Sequence, residues 1–353
     1  MITFFAILIG LGIIIELISL KRNFSKVSVD FGVSTYCTEP GDSFDIKTTV
    51  SNRSYLPIGY VAISDTYSRH TFLPENIKAS NLSQGTCVKK ICFVGGRRRK
   101  KMIMQAYIEK RGVHHLSACS IEFGDFLGLK ELKENLFIRH DVVVYPKRIN
   151  WQALDEALSK FCGDMTAKRF LIRDPILTIG IREYTGSQPM KEIHWLKSAA
   201  RGELMVKEFD FNREFSVRVL MSVSGIANQS DEEMDDICSA ARSICETLTE
   251  QGASVDFFSN AMRRGISKDA QWKCEVSAVN KGGLLEGLGR ATSINSGSLA
   301  DLVTQATKDA DLDCAYILVV PKGEKLAQSA IQKLRESTAQ EVLLVEMESE
   351  VSV

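Results

Sequence analysis

The strongest constraint on the fold is the order of apolar and amphipathic segments in the C-terminal part of the chain. Short apolar runs with the length of strands lie at residues 215–221, 253–258, 315–320 and 341–347. Stretches with helical spacing alternate with them, at residues 231–251, 284–294, 299–310 and 325–337. Apolar strands that alternate with helices typically form a parallel sheet covered by helices. The order therefore predicts an α/β architecture for this part of the chain.

A shorter strand–turn–helix–strand pattern precedes the α/β segments. An apolar alternation runs into the charged residues 182–184 and resumes at residues 204–209. Between the two, the sequence predicts a helix that Ser187 caps, that holds Pro189 in its first turn and that ends at Gly202. We expect residues 179–210 to form one compact unit.

This compact unit resembles the signature of the bacterial domain-of-unknown-function family number 58. The matching residues are Arg182, Glu183, Tyr184, Gly186, Lys191, His194, Trp195, Ser198, Ala199 and residues 204–209. Residues 111–112, 123–129 and 142–146 match as well, so the resemblance covers most of the chain beyond its first 25 residues. The chain departs from the family at Ser187, where the family usually has an acidic residue.

The resemblance implies a fold class and a domain organisation. The residues themselves predict one N-terminal transmembrane helix at residues 1–22, where members of the family often have two, and a β-sandwich-like domain at residues 27–148. Residues 149–353 are then expected to hold the family signature and an α/β three-layer von Willebrand factor A-like domain. Residues 44–50 and 59–64 alternate as strands do, and residues 51–54 form a turn between them. Short strands separated by turns in this way favour a small β-sandwich in the middle region.

The first twenty residues determine the expected location. Residues 2–20 are almost wholly apolar, and such a length nearly crosses a hydrocarbon core of about 30 Å. Lys21, Arg22 and Lys26 follow this run and no cation precedes it, so the positive-inside bias places the soluble domains in the cytoplasm. The nine cysteines contain no C-x-x-C pair, which agrees with a reducing compartment. We expect a single-pass protein of the bacterial cytoplasmic membrane.

A metal turn is expected to be degenerate. Von Willebrand factor A-like domains often hold a divalent cation with an Asp-x-Ser-x-Ser turn after their first strand. The corresponding residues here are Ser222, Ser224 and Ile226, so the carboxylate that a hard cation prefers is missing. The sequence therefore predicts no metal and no cofactor at this turn.

A run of five cations interrupts the β-rich region. The run follows Gly95 and Gly96, and it consists of Arg97, Arg98, Arg99, Lys100 and Lys101. It is interpreted first as a solvated hairpin tip and second as a contact with anionic lipid. Nucleic acid is the weakest alternative because no aromatic residue is interleaved, and because Lys+Arg and Asp+Glu are equal at 44 each.

Three hypotheses of function follow. The leading one is a membrane-anchored, non-enzymatic scaffold for assembly or cell-envelope-related processes; the resemblance implies a MoxR-type AAA+ ATPase as its partner. The second is a membrane-bound hydrolase using Glu183 and His194 with Arg182, although no nucleophile elbow, phosphate loop or H-E-x-x-H motif is present. The third is a sensor of anionic lipid through residues 97–101.

Six residues of the signature are candidates for an interaction site, namely Arg182, Glu183, Tyr184, His194, Trp195 and Arg201. Trp195 is interpreted mainly as a buried staple, or as a ring stacked on Arg182. Its helix is expected to turn Ile193, Leu196 and Ala200 toward a sheet. For Arg182 and Glu183, a role in docking a partner is slightly favoured over a structural role, because α/β sheets place their binding sites at the carboxyl ends of strands.

Overall fold

A computed structural model provides the structure of the chain. It describes residues 4, 10, 12–14, 26–74, 77, 79–82, 85–124, 131–171, 178–209, 216–223, 231–266, 272–277, 280–308, 313–324, 326–338 and 341–347. The chain divides into two compact units, residues 1–147 with 286–290 and residues 148–285 with 291–353.

In the described part of the first unit, ten strands form two sheets. The strands are β1 Val27–Val33, β2 Cys37–Thr38, β3 Ser43–Asn52, β4 Ile58–Tyr67, β5 Thr71–Phe72, β6 Ala79–Leu82, β7 Gly85–Val94, β8 Arg99–Ile108, β9 Gly112–Gly124 and β10 Glu131–Val144. One sheet has the order β1-β3-β8-β5 and the other has the order β2-β10-β9-β4-β7-β6. Residues 44–50 and 59–64, predicted as strands, lie in β3 and β4.

The two sheets share one hydrophobic core. Phe44 and Ile46 of β3 pack in the same cluster as Tyr67 of β4 and Leu116 of β9. These contacts follow from the alternation of the sequence, because successive side chains of a strand point to opposite faces. Every second residue of β3 is buried from Phe44 to Asn52, which gives the four-stranded sheet one apolar face.

Strand β10 has two irregular features. Its last residues pair in parallel with the short β2, with Val143 opposite Cys37 and Val144 opposite Thr38. Its pairing with β9 shifts register between Asn135 and Ile138. Such a shift rotates a side chain out of the regular alternation, and Phe137 within it is 94% exposed.

From Gln152 onward, helices and strands alternate. The elements are α1 Gln152–Leu171, β11 Thr178–Glu183, a 3-10 helix Met190–Glu192, α2 Trp195–Arg201, β12 Met205–Phe209, β13 Ser216–Met221, α3 Asp231–Glu250, β14 Ser254–Ser259, β15 Ala261–Arg263, β16 Trp272–Val276, α4 Gly282–Arg290, β17 Ala291–Asn295, α5 Leu299–Thr307, β18 Ala315–Pro321, α6 Ala327–Ser337 and β19 Val342–Met347. The predicted helix at residues 187–202 is therefore two short pieces. The polar stretch at residues 162–169 is typical of a surface loop, but the structure places it within α1.

The core of the second unit lies on a five-stranded sheet with the order β16-β14-β13-β18-β19. Strands β14, β13, β18 and β19 are parallel, and β16 is antiparallel to β14. Every residue of β18 is buried, as expected for a central strand with both faces covered. Leu302 of α5 and Leu334 of α6 pack with Leu318 of β18 in one cluster.

The predicted fold class is wrong. Among the described residues, strand is the commonest secondary structure, with 47% in strands and 29% in helices. The described residues contain neither the predicted transmembrane helix nor the predicted three-layer von Willebrand factor A-like α/β fold. The excess of strand comes from the first unit, where β9 and β10 extend over 13 and 14 residues.

The predicted single-pass location in the bacterial cytoplasmic membrane is also contradicted. Within the described part of the chain, no helix is both long and apolar enough to cross a membrane. Most of the predicted anchor, residues 1–22, lies outside the described residues.

Candidate interaction site

Residues 178–209, called the hairpin unit below, form two antiparallel strands with a short helix between them. Strands β11 and β12 pair so that Arg182 lies opposite Val206 and Glu183 lies opposite Met205. Met205 and Val206 are buried, whereas Arg182 and Glu183 are exposed. The paired strands therefore present two opposite charges to solvent at the end of β11.

The helix α2 is fixed to β12 by hydrogen bonds rather than by large side chains. The backbone N–H of His194 donates to the Met205 carbonyl at 2.8 Å. The Met205 N–H in turn donates to the Ser198 hydroxyl at 2.8 Å, and Ser198 is buried. The ring Nδ1 of His194 accepts the N–H of Lys197 at 3.3 Å and so caps the helix. The inward side of α2 is thus small and polar.

Four large apolar side chains of the hairpin unit are exposed as a result. Leu196 is 81% exposed, Met190 is 68%, Trp195 is 60% and Leu204 is 46%. All four come from one short stretch of the chain, which distinguishes them from apolar residues scattered singly over a surface. The predicted burial of Trp195 and Leu196 is therefore wrong, because α2 turns Ser198 inward instead.

The six interaction candidates all lie in the hairpin unit. Arg182, Glu183 and Arg201 are exposed with Trp195, whereas Tyr184 and His194 are half-buried. In the part of the chain that the structure describes, no hydrogen bond or ion pair joins Glu183 to His194. The histidine ring instead serves as the helix cap, and no ring contact between Arg182 and Trp195 occurs among the described residues.

The basic segment, residues 97–101, lies in the connection from one sheet to the other and in the first residues of β8. It is not the tip of a hairpin. Strand β7 ends at Val94 in the six-stranded sheet, and β8 begins at Arg99 in the four-stranded sheet. Arg97 has φ 50°, its guanidinium lies 3.8 Å from the centre of the Tyr55 ring, and it donates to the Tyr55 hydroxyl. Tyr55 is 76% exposed. An aromatic side chain from another loop therefore accompanies these cations, which the sequence order conceals.

The turn that was predicted to have lost its metal site begins at Ser222, which is fully buried. The side chain of Asn260 contacts this turn: its oxygen accepts the N–H of Val223 at 2.9 Å, and its nitrogen donates to the Ser222 hydroxyl at 3.4 Å. Ser224 and Ile226 lie outside the described residues. Within the described ranges, no three His, Cys, Asp or Glu side chains are grouped in a way that would hold a metal ion.

Sequence reasoning missed Asn260, although a signal for it existed. Ser259 and Asn260 follow one another directly after the apolar residues of β14, at the carboxyl edge of the sheet. Two polar residues at such a position are candidates for a site or for a connection between loops. In this protein Asn260 makes the connection, since its nitrogen also donates to the Gly297 carbonyl at 3.1 Å.

Comparison with known sequences gives one curated relative without an assigned activity. No family model matches the chain. The uncharacterized protein YeaD of Bacillus subtilis (strain 168) is 24% identical over 228 residues, which are 64% of this chain and 54% of that protein. This chain therefore spans about half the length of the relative that it matches.

Solved structures with partial likeness include three cohesin domains. The cohesin module of a Clostridium perfringens family 33 glycoside hydrolase matches with a TM-score of 0.27 and 13% identity, over 33% of this chain and 96% of that one. A type II cohesin domain of Acetivibrio cellulolyticus matches with a TM-score of 0.27 and 8% identity, over 33% of this chain and 95% of that one. A non-cellulosomal cohesin of Archaeoglobus fulgidus matches with a TM-score of 0.24 and 12% identity, over 38% of this chain and 98% of that one. Likeness at these TM-scores supports no conclusion.

Proposed function

We propose that this chain is a non-enzymatic interaction protein of the bacterial family number 58, and that it binds a protein partner through the hairpin unit. The observation that carries this proposal is the exposure of Trp195 and Leu196 on a helix whose buried contact is Ser198. Tryptophan is among the residues that contribute most to the binding energy of interfaces. A scaffold that displays one at its surface has a ready anchor for a partner.

Exposed charged residues lie on the same hairpin unit as this apolar anchor. Lys197 and Arg201 on α2 and Arg182 at the end of β11 are exposed cations, and Glu183 is an exposed carboxylate. An interface typically combines an apolar centre with a polar rim. A rim of mixed sign favours a partner with a complementary mixture over nucleic acid or another polyanion.

The proposed partner is a MoxR-type AAA+ ATPase, in an assembly or cell-envelope-related process. This identity rests on the signature residues of the hairpin unit, since proteins of the resembled family and such ATPases commonly occur together. The solvent-facing Trp195 supports protein binding in general, and the resemblance supports this class of partner.

The test is a binding measurement between the purified full chain and a MoxR-type ATPase of the same organism. Replacing both Trp195→Ala and Leu196→Ala is expected to weaken binding at least about tenfold, since truncated anchors commonly cost more than 1 kcal/mol. Phe137→Ala is the matched control, because it removes another exposed aromatic ring from β10 in the other unit.

Two outcomes oppose the proposal at different levels. If the ATPase binds wild type and the double variant equally, the hairpin unit is not the docking surface. If the ATPase binds neither, the partner is wrong, and crosslinking from a cell extract through a photoreactive residue at Leu196 identifies the actual partner.

Anionic lipid is a second candidate partner, through the basic segment. Arg98, Arg99, Lys100 and Lys101 are exposed, and no acidic side chain among the described residues forms an ion pair with them. Each cation near an anionic surface contributes about 1 kcal/mol. Co-sedimentation with phosphatidylserine vesicles, but not with phosphatidylcholine vesicles, is expected to disappear when all four cations are changed to Gln. Equal sedimentation of this variant contradicts the idea.

A further inference from the structure

A charged pair is buried between the two sheets of the first unit. Asp65 of β4 has no exposed side-chain surface, and the side chain of Lys90 of β7 is 11% exposed. Lys90 Nζ lies 2.7 Å from Asp65 Oδ2. Asp65 is opposite Val88 and Lys90 is opposite Ile63, so the two residues are diagonal neighbours on one face of adjacent strands. Two fully paired strands therefore hold the amine against the carboxyl group.

The atoms of this ion pair differ in their other hydrogen-bond partners. The Tyr67 hydroxyl donates to Asp65 Oδ2 at 2.9 Å, and Lys90 Nζ donates to Thr48 Oγ1 of the facing sheet at 3.1 Å. Asp65 Oδ1 is buried without a partner in the described part of the chain. A buried polar atom without a hydrogen bond costs about 1–3 kcal/mol, and more when it is charged. The ion pair thus leaves one oxygen unsatisfied.

We propose that Lys90 and Asp65 condense into an intramolecular isopeptide bond that links β4 to β7. Proton transfer within the pair first converts ammonium and carboxylate to amine and carboxylic acid. The lone pair of Nζ then attacks the side-chain carbonyl carbon, and the bond from this carbon to Oδ1 breaks. Oδ1 leaves as water with two of the three ammonium protons, and the third proton stays on the amide nitrogen. The reaction needs no oxidant, reductant or co-reactant.

In the amide product, both polar atoms have a hydrogen-bond partner. Oδ2 becomes the amide oxygen and keeps the Tyr67 hydroxyl as its donor. The amide N–H keeps Thr48 Oγ1 as its acceptor. The one atom without a partner, Oδ1, is the atom that departs. Condensation also removes two charges from a low-dielectric interior, where their desolvation is costly.

Proximity and the exclusion of water favour the reaction. Groups held together in this way reach effective molarities of about 10⁵ M or more. The donor Tyr67 is itself buried, and this burial, followed by the charge of Asp65, raises the pKa of its phenol, so the hydroxyl stays protonated. It can therefore stabilise the oxyanion that forms on Oδ2 during attack. The same burial keeps bulk water from the amide once it has formed.

The test is intact-mass spectrometry of the denatured full-length protein, fresh and after incubation in the folded state. Wild type is expected to be lighter than its sequence by one water. Tandem fragmentation should find peptides containing Asp65 and Lys90 joined through their side chains. Lys90→Arg and Asp65→Ala should both keep the full sequence mass. Lys89→Arg is the matched control, since its neighbouring exposed ammonium pairs with Glu122 and its loss should leave the missing water in place.

A positioning role of Tyr67 is tested separately. Tyr67→Phe keeps the ring but removes the donor to Oδ2, so the missing-water species should accumulate at least about tenfold more slowly. Wild-type protein that keeps its full sequence mass after prolonged incubation would show an ion pair only and overturn the proposal. A water loss that persists in Lys90→Arg would overturn it as well. Fragmentation of the wild-type protein tests for the Lys90–Asp65 bond even where a variant fails to fold.

Discussion

The side-chain oxygen of Asn260 accepts a hydrogen bond from the backbone N–H of Val223 at 2.9 Å. Its nitrogen donates to the Ser222 hydroxyl and to the Gly297 carbonyl. One fully buried amide thus connects the segment after β13, the end of β14 and the segment before α5. An uncharged side chain maintains this edge of the sheet.

Asn260→Ala is expected to lower the free energy of unfolding by about 2–4 kcal/mol, because it removes the oxygen that accepts the buried Val223 N–H and the nitrogen that donates to the Gly297 carbonyl. Urea denaturation followed by circular dichroism measures this loss. Asn280→Ala removes an exposed amide and should stay within about 0.5 kcal/mol of wild type. An equal effect of the two substitutions would refute the structural role of Asn260.

Trp195→Ala is expected to change the free energy of unfolding by less than about 1 kcal/mol, because its side chain is 60% exposed. Met205→Ala, at a buried position of the same hairpin unit, should cost about 2–5 kcal/mol. Thermal and chemical melts of the two variants compare them directly. A loss above about 3 kcal/mol for Trp195→Ala would restore the interpretation of this residue as a buried staple.

The stability of the first unit should fall as the pH decreases below neutrality. His114 is buried; its Nε2–H donates to the Lys110 carbonyl at 2.7 Å, and its Nδ1 lies 3.0 Å from the Ser68 hydroxyl. Burial lowers the pKa of His114 from 6.5 to about 4, against the opposing effect of the Lys110 hydrogen bond. Between these two values the unfolded chain binds a proton that the folded chain does not. The free energy of unfolding therefore decreases as the pH falls through this window.

The size of this effect follows from the difference between the two pKa values and is on the order of 3 kcal/mol. Denaturation at a series of pH values measures it. His114→Gln should flatten the slope between pH of about 6.5 and 4, whereas His70→Gln, which removes an exposed imidazole nearby, should leave most of it. A slope unchanged in His114→Gln would assign the pH dependence to other groups.

Gly96→Ala is expected to disrupt the crossing between sheets. A Cβ at this position would lie 1.9 Å from the Tyr55 carbonyl oxygen, a backbone atom that cannot move aside alone. Overpacking of this kind typically costs about 1–3 kcal/mol. Gly32→Ala is the control, because its Cβ would meet no atom within 4 Å. Equal thermal stability of both variants would show that the loop at Tyr55 adapts.

Alternation was the most informative signal in the sequence. The pattern at residues 44–50 predicted β3 because side chains in a strand repeat every two residues, and the burial of β3 follows that period. The same period also places Asp65 on the face of Ile63 and Tyr67, in the core. A carboxylate at an inward position is therefore visible in the sequence, whereas its contact with Lys90 depends on how two distant segments pair.

Other features depend on tertiary structure that local patterns do not contain. The polar residues after Phe161 suggested a loop, but Ala167, Lys168 and Arg169 are good helix formers, and α1 continues to Leu171. Trp195 was expected to be a buried staple because its neighbours on the predicted helix have the spacing of residues that face a sheet. In α2, which has seven residues, a single hydrogen-bonding serine decides which side faces inward.

The parallel pairing of β2 with the end of β10 has a consequence for synthesis on the ribosome. Cys37 and Thr38 pair with Val143 and Val144, which follow them by more than one hundred residues. At the usual elongation rate of about 5–20 residues per second, the early strand waits several seconds for its partner to leave the exit tunnel. During that interval the edge of β2 that pairs with β10 has no partner strand, and the six-stranded sheet is completed at this side once Val144 has emerged.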